Sequence, residues 1–212
     1  MNMTTNLSQF EKLSIALKYY LRGRGYTRAL EALRFSKKKH DGLRKDKVTP
    51  EVQHQIEIAL YITTLKDVRN EEVAICVALL HDVIEDTDTG FDEILNRFGP
   101  EVAKSVWLIS KKVNGKPKYA AELADNSYYK DCADDVHASL VKGCDRIHNI
   151  NSMGGVFDKE KQLRYVAEVE EHFLPMIRKA EGLFPDQLAA YLNVKHMLKS
   201  QMNLVRNGLT SP

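Results

Sequence analysis

The spacing of apolar residues follows the period of an α-helix along almost the whole chain, and this feature constrains the fold most strongly. Near the start, Phe10, Leu13, Leu17 and Tyr20 fall on one helical face. No convincing run alternates apolar and polar residues, as a strand with one buried face would. The sequence therefore predicts an all-α fold.

Glycine and proline residues divide the helical pattern into segments, because glycine favours helix ends and proline favours first turns. Gly23 and Gly25 mark one helix end, and Pro50 marks a helix start. The polar segment 112–126 is ambiguous and favours a surface loop with a helical part. Elsewhere we expect helices at about 26–40, 50–66, 71–86, 128–151, 159–180 and 185–206.

The length of 212 residues is enough for one domain with a substantial core. We expect a single domain over residues 1–212, with its functional motifs between about 26 and 180. The final helix, at about 185–206, is amphipathic. It either packs on this domain or forms a contact in a homo-oligomer, and its pattern favours neither.

Composition and charge argue against several classes of partner. The formal net charge of +2 is too small to indicate a stable nucleic-acid partner. No stretch approaches the roughly 20 apolar residues that span a bilayer, so we expect no membrane partner. The N-terminus lacks the basic and apolar parts of a secretory signal. Because the three cysteines show no paired spacing, we expect a cytoplasmic location.

A cluster of ionisable residues follows the most apolar part of the chain. The segment "LLHDVIEDTDTG" (79–90) places His81, Asp82, Glu85 and Asp86 directly after an apolar run. Burying such charge without compensation costs several kcal/mol per group. Imidazole and carboxylate together suit a divalent first-row metal, whose charge would compensate the acids.

Two ligands do not hold a catalytic metal, so others must come from elsewhere in the chain. The best candidates are Asp145, in "CDRIHNI" (144–150), and His54. Taken alone, Asp145 could form a structural ion pair with Arg146 or a lysine, and His54 could be an ordinary buried or exposed histidine. A metal bound by these two residues together with the His-Asp step would acidify a water for attack on a phosphate.

The segment "FSKKKHDGLRKDK" (35–47) is locally basic. Such a run is usually a solvated face. It could instead attract phosphates through its arginine, lysines and histidine. Three further histidines have no comparable context, and we treat them as non-functional: His137, His172 and His196.

The order of these motifs resembles that of the HD superfamily of metal-dependent phosphohydrolases. Within it, "ALLHDVIEDT" (78–87) closely resembles the hydrolase domain of the RelA/SpoT family and the stand-alone small alarmone hydrolases. Further stretches resemble the same family in the same order, and the similarity covers about residues 26–180: "KKHDGLRKD" (38–46), "FDEILNRFGPEVAKSVWLISK" (91–111) and "LVKGCDRIHNINSM" (140–153). The resemblance implies an HD-domain helical bundle.

The resemblance also implies an activity and a set of residues. The family removes the 3′-pyrophosphate from guanosine tetra- or pentaphosphate, usually with Mn²⁺, so the expected ligand is a small-molecule nucleotide. Glu85 and Asp86 would position and activate the attacking water. The implied metal ligands are His54, His81, Asp82 and Asp145. The implied substrate contacts are Arg44, Lys45, Asn149 and, more weakly, His40.

The chain departs from the family at several places, among them a gap from His54 to His81 that is a few residues longer than usual. The family has a tyrosine and a His-Pro step around its first histidine, whereas this chain reads "PEVQHQIE" (50–57). Gly143 and Cys144 replace a leucine and an alanine, which we expect to loosen the packing beside Asp145. Two alternatives therefore stay open: an HD-type hydrolase of another nucleotide or phosphoester, and a non-catalytic helical binding module. We also expect a hydrolase without a synthetase region, because little chain follows residue 180.

Overall fold

A computed structural model describes residues 8–44, 46–113, 115–119 and 124–210, and within these ranges the fold is α-helical, as the sequence predicts. The helices, in chain order, are α1 (Gln9–Arg24), α2 (Thr27–Lys39), α3 (Glu51–Ile62), α4 (Glu71–Leu80), α5 (Val83–Asp86), α6 (Phe91–Phe98), α7 (Pro100–Ile109), α8 (Ala124–Ala133), α9 (Val136–Ser152), α10 (Lys159–Glu168), α11 (Leu174–Leu183) and α12 (Leu188–Thr210). None of the described helices is both long and apolar enough to cross a membrane.

Short elements fill some of the connections between these helices. A π-helical turn at Val169–Phe173 joins α10 to α11, and a 3₁₀ turn at Pro185–Gln187 precedes α12. In the segment left ambiguous by the sequence, β1 (Lys112–Val113) pairs antiparallel with β2 (Lys116–Pro117). These strands are too short to have shown an alternating pattern.

Two of the predicted helices are wrong because the chain breaks inside them. The expected helix at 128–151 is divided between α8 and α9 at Asp135, whose backbone is extended (φ −130°, ψ 126°). The Asp135 carboxylate accepts hydrogen bonds from the backbone N–H groups of His137 and Ala138. Such a cap satisfies the first donors of a new helix and so favours a break. The expected helix at 71–86 likewise divides into α4 and α5.

Helix α4 lies at the centre of the molecule. Every residue from Val73 to Leu80 is fully buried. The helix packs against α2, α3, α7 and α9, so it has no solvent-facing side over these residues. A helix that is apolar all round is expected to be buried in this way. The end of α4 is therefore held rigidly by the core.

Helix α12 packs on α9 and buries Tyr191, Val194 and Leu198. Gly143 lies at this contact, where an added Cβ would stand 2.6 Å from Val194 Cγ1 and 3.1 Å from Ile177 Cδ1. The expectation that Gly143 loosens the packing is therefore wrong, because neighbouring helices fill the space that a side chain would need. The last helix belongs to the packed body of the chain.

Candidate metal centre and cleft

The centre begins where α4 ends. His81 and Asp82 are adjacent residues, and within a regular helix their side chains would point about 100° apart. They lie instead between α4 and α5, where the helix is interrupted. There His81 Nε2 stands 3.0 Å from Asp82 Oδ2. The interruption therefore lets both side chains face one point.

The other two predicted ligands come from α3 and α9 and meet the His-Asp step. Asp145 Oδ1 lies 3.2 Å from His54 Nε2 and 3.9 Å from His81 Nε2. His54 Nε2 is 3.9 Å from Asp82 Oδ2, and the ligand atoms of His54, His81 and Asp82 all lie within 4.8 Å of one another. Ligand atoms on opposite sides of a cation with bonds of ~2.1 Å would be about 4 Å apart. The spacing thus suits one divalent cation.

The hydrogen bonding of His81 supports this interpretation. Its Nδ1 lies 2.8 Å from the backbone oxygen of Ala78 and donates to it, which directs Nε2 toward the other candidate ligands. This Nε2 is buried and makes no hydrogen bond of acceptable geometry, despite its proximity to Asp82. A buried polar atom without a partner is costly. A divalent cation bound by Nε2 would satisfy it, so the residues fit a divalent metal.

The charges at the centre balance one another. Burial lowers the pKa of His54 to about 4 against the opposing effect of Asp145, so this imidazole is neutral at pH 7. Burial also lowers the pKa of His81, but the carboxylates of Asp82 and Asp145 outweigh it and raise the value to about 9. Burial raises the pKa of Asp145, but Lys142 and the two histidines hold it well below its usual range. Burial likewise raises the pKa of Asp82, but His81 and His54 hold it below its usual range, so both aspartates are ionised.

Three of the four predicted ligands, His54, Asp82 and Asp145, line a cleft of about 970 Å³. This is the upper part of the volume range that small-molecule sites occupy. Beyond the predicted ligands the lining has a polar part and an apolar part. The polar part includes His40, Arg44, Glu85, Asp86, Lys142 and Asn149, and the apolar part includes Met153, Val156, Phe157 and Tyr165.

The two predicted catalytic carboxylates line the same cleft from α5. Glu85 Oε1 accepts a hydrogen bond from the backbone N–H of Lys111, which fixes its orientation. Partial burial, followed by repulsion from Asp82 and Glu85, raises the pKa of Asp86 to about 6. A carboxyl group with this pKa can exchange a proton near neutral pH.

The predicted substrate contacts have different surroundings. Arg44 lines the cleft, whereas Lys45 lies outside the described residues. Asn149 donates a hydrogen bond from Nδ2 to Asp145 Oδ1 at 2.6 Å. His40 is buried, its Nε2 has no hydrogen-bond partner, and burial lowers its pKa. Arg44, Asn149 and His40 thus share the cleft with candidate metal ligands.

Sequence reasoning missed several residues that contact the candidate ligands. Gln55 donates from Nε2 to Asp82 Oδ2 at 3.1 Å, and Lys142 donates to Asp145 Oδ2 at 3.0 Å. His148 lies against His54, and Glu57 lies against His148. Helical spacing could have indicated part of this set, because residues three apart share a face and Lys142, Asp145 and His148 follow that spacing.

Comparison with known proteins bears on the family and on the fold. The sequence pattern of the HD-domain family matches residues 32–184 of this chain. In a structure comparison, a metazoan ortholog of SpoT, described as hydrolysing ppGpp and playing a role in starvation responses, superimposes with a TM-score of 0.63. The match covers 82% of this chain and 96% of that one. Because the sequence identity is 20%, the match bears on the fold alone.

Curated relatives share part of their sequence with this chain. A guanosine-3′,5′-bis(diphosphate) 3′-pyrophosphohydrolase of Aquifex aeolicus is 36% identical over 70% of this chain and 21% of the relative. A GTP pyrophosphokinase rsh of Brucella ovis is 33% identical over 67% of this chain and 19% of its own length. The bifunctional (p)ppGpp synthase/hydrolase SpoT of Escherichia coli K12 is 27% identical over 80% of this chain and 24% of its own length. The chain thus spans about a fifth of the length of the relatives it matches.

Proposed function

We propose that this chain, which belongs to the HD-domain family, hydrolyses the 3′-pyrophosphate of guanosine tetra- or pentaphosphate. The observation that carries the proposal is the convergence of two imidazoles and two carboxylates beside a cleft of about 970 Å³. The Aquifex relative, whose name states this activity, supports the choice of substrate. The products would be GDP or GTP and pyrophosphate.

The proposed metal is Mn²⁺, held by His54, His81, Asp82 and Asp145. Imidazole and carboxylate ligands together suit a divalent first-row ion, and the family resemblance implies Mn²⁺ among these. When bound, a divalent cation supplies a Lewis acid that acidifies water and neutralises phosphate charge. The protein contributes ligands from three separate parts of the chain, and the core fixes their positions.

Glu85 and Asp86 are the proposed proton-transfer residues. Hydrolysis joins a water oxygen to phosphorus and breaks the bond between that phosphorus and the 3′-oxygen of the ribose. The water must lose a proton and the 3′-oxygen must gain one. The pKa of Asp86, raised to about 6 by partial burial and by neighbouring carboxylates, suits this exchange near neutral pH. Glu85, held by the Lys111 amide, would orient the water.

The proposed substrate contacts are Arg44, Lys45, Asn149 and His40. A guanidinium can clamp phosphate oxygens through two hydrogen bonds or stack on a base, and Arg44 lines the cleft. The buried His40 presents a nitrogen without a partner, so it can bond a polar group of the substrate. Asn149, beside Asp145, would contact the ribose or its 3′-substituent.

The test is to incubate the purified protein with ppGpp and Mn²⁺ and to measure GDP and pyrophosphate. We expect turnover by the wild type and a loss of at least about 100-fold in Asp82→Asn, because the variant lacks a charged metal ligand. Asp88→Asn is the matched control, since Asp88 is exposed and pairs with Lys39. Full activity in Asp82→Asn would refute the site.

A nucleotide panel tests the choice of substrate in the same experiment. The panel contains nucleoside monophosphates and NADPH beside ppGpp. Turnover of another member, sensitive to Asp82→Asn and far above that of ppGpp, would keep the metal site and overturn the guanosine tetraphosphate assignment. Failure of the wild type to hydrolyse any member would contradict the enzymatic proposal.

A further inference from the structure

A chain of hydrogen-bonding groups lies behind His54, on the side away from the other candidate ligands. His54 Nε2 faces Asp145, and His54 Nδ1 lies 2.9 Å from His148 Nδ1. The other nitrogen of His148, Nε2, lies at hydrogen-bond distance from Glu57 Oε2. Gln53 donates to the remaining oxygen of Glu57 at 3.0 Å. The groups therefore run in the order Glu57, His148, His54.

Counting protons along this chain fixes the tautomers when His148 is neutral. A carboxylate can only accept, so His148 must carry its proton on Nε2 to bond Glu57. His148 Nδ1 is then an acceptor, and His54 must donate to it from Nδ1. A neutral His54 with its proton on Nδ1 has a free electron pair on Nε2. That pair points toward Asp145 and the other candidate ligands.

We propose that Glu57 and His148 are positioning residues of the metal centre, and that together they hold His54 in its metal-binding tautomer and orientation. This inference rests on the metal site proposed above. Histidine ligands in metalloproteins commonly donate their second nitrogen to a carboxylate, a carbonyl or a water. Here the carboxylate acts through a second imidazole, so that α3 supplies both His54 and Glu57 while α9 supplies the connecting His148.

The surroundings of Glu57 agree with this role. Burial raises its pKa, but the hydrogen bonds from His148 and Gln53 outweigh burial, so the pKa lies below its usual range. Glu57 is therefore ionised at neutral pH and able to accept. Its side chain and that of His148 are mostly buried, with 30% and 18% exposed, which limits competition from water.

The inference is tested by titrating the metal-free protein with Mn²⁺ in a calorimeter. We expect Glu57→Ala and His148→Ala each to weaken Mn²⁺ binding by about 10–100-fold. The double variant should be no weaker than the weaker single variant, because both substitutions interrupt the same chain. Glu57→Gln should lose less Mn²⁺ affinity than Glu57→Ala, because the amide oxygen of glutamine still accepts a hydrogen bond from His148 and the side-chain volume is nearly unchanged.

Glu51→Gln is the control for general electrostatics. Glu51 lies on the same helix and lines the same cleft, so its substitution also removes one negative charge from the cleft, and it is not part of the chain. Equal losses of Mn²⁺ affinity in Glu51→Gln and Glu57→Gln, or wild-type Mn²⁺ affinity in Glu57→Ala, would overturn this inference but not the proposed metal site. Absence of Mn²⁺ binding by the wild type would overturn the metal site as well. If Glu57→Ala does not fold, the comparison of Glu57→Gln with Glu51→Gln decides.

Discussion

His81 couples the backbone of α4 to the proposed metal centre. Its Nδ1 is committed to the Ala78 carbonyl, so only Nε2 can change its protonation or bind a cation. The carboxylates of Asp82 and Asp145 raise its pKa to about 9 although burial opposes them. Protonated His81 and a cation therefore compete for the same two carboxylates.

This competition predicts that binding of Mn²⁺ releases about one proton per site at pH 7.5. His81 carries the proton below its pKa of about 9 and must lose it to become a ligand. For the same reason, Mn²⁺ affinity should rise as the pH is raised toward 9 and fall as it is lowered. Calorimetric titration in buffers with different ionisation enthalpies measures the proton count. A count near zero would contradict the assignment of His81 as a ligand.

At the scale of single residues, the sequence predicted the candidates whose type and order are distinctive. The His-Asp step and Asp145 stand in recognisable motifs. The roles of Glu57 and His148 could not be predicted from the sequence. The contact of His148 with His54 joins positions 94 residues apart and depends on how α3 packs against α9. Helical periodicity defines the faces of a helix but not the partner of each face.

At the scale of elements, the break between α8 and α9 depends on Asp135. Its Oδ1 accepts from two backbone amides and from Ser105 Oγ, and its Oδ2 pairs with Lys104. Several bonds to one buried side chain are worth more than one exposed cap. The sequence showed the apolar pattern on both sides of Asp135 but not the tertiary contacts that make the break favourable.

We expect Asp135→Ala to lower the free energy of unfolding by about 2 kcal/mol, the upper end for a helix cap. Asp158→Ala is the comparison, because Asp158 caps α10 at an exposed position through the Lys161 amide. It should cost about 1 kcal/mol or less. Urea unfolding followed by circular dichroism measures both. Equal losses would show that burial and the contacts with Ser105 and Lys104 add nothing.

The contact of α9 with α12 gives a second prediction at this scale. Gly143→Ala should destabilise the protein by about 1–2 kcal/mol, because a Cβ 2.6 Å from Val194 forces the helices apart. This net loss includes the gain of up to about 1 kcal/mol that alanine brings in a helix. Gly182→Ala in α11, with no atom near its added Cβ, should be neutral or stabilising. Thermal unfolding compares the two, and a rise in Tm for Gly143→Ala would contradict the packing argument.

At the scale of the whole molecule, the proposed ligands connect parts of the chain that are distant in sequence. His54 comes from α3, the His-Asp step from the end of α4, and Asp145 from α9. The all-α architecture could be predicted because apolar periodicity is a local property of each segment. The relative placement of the helices could be inferred only through the resemblance to a family, since no local pattern encodes it.

A cation that joins these three segments should stabilise the folded state. We expect Mn²⁺ at 100 times its Kd to add about 2.7 kcal/mol to the free energy of unfolding. Asp82→Asn should lose most of this increment, and Asp88→Asn, at the exposed partner of Lys39, should retain it. Denaturant titration with and without the metal measures the increment. Equal stabilisation of both variants would place Mn²⁺ binding elsewhere.

The burial of α4 distinguishes the part of the site where substitutions would disturb the core from the part where they would not. The His-Asp step is anchored to a helix without a free side, whereas one wall of the cleft is a connection between α2 and α3 that carries Leu43, Arg44, Asp46 and Thr49. Substitutions in that connection can reshape ligand preference without disturbing the interior. Engineering of selectivity should therefore begin with a library in the α2–α3 connection, and α4 should be left as it is.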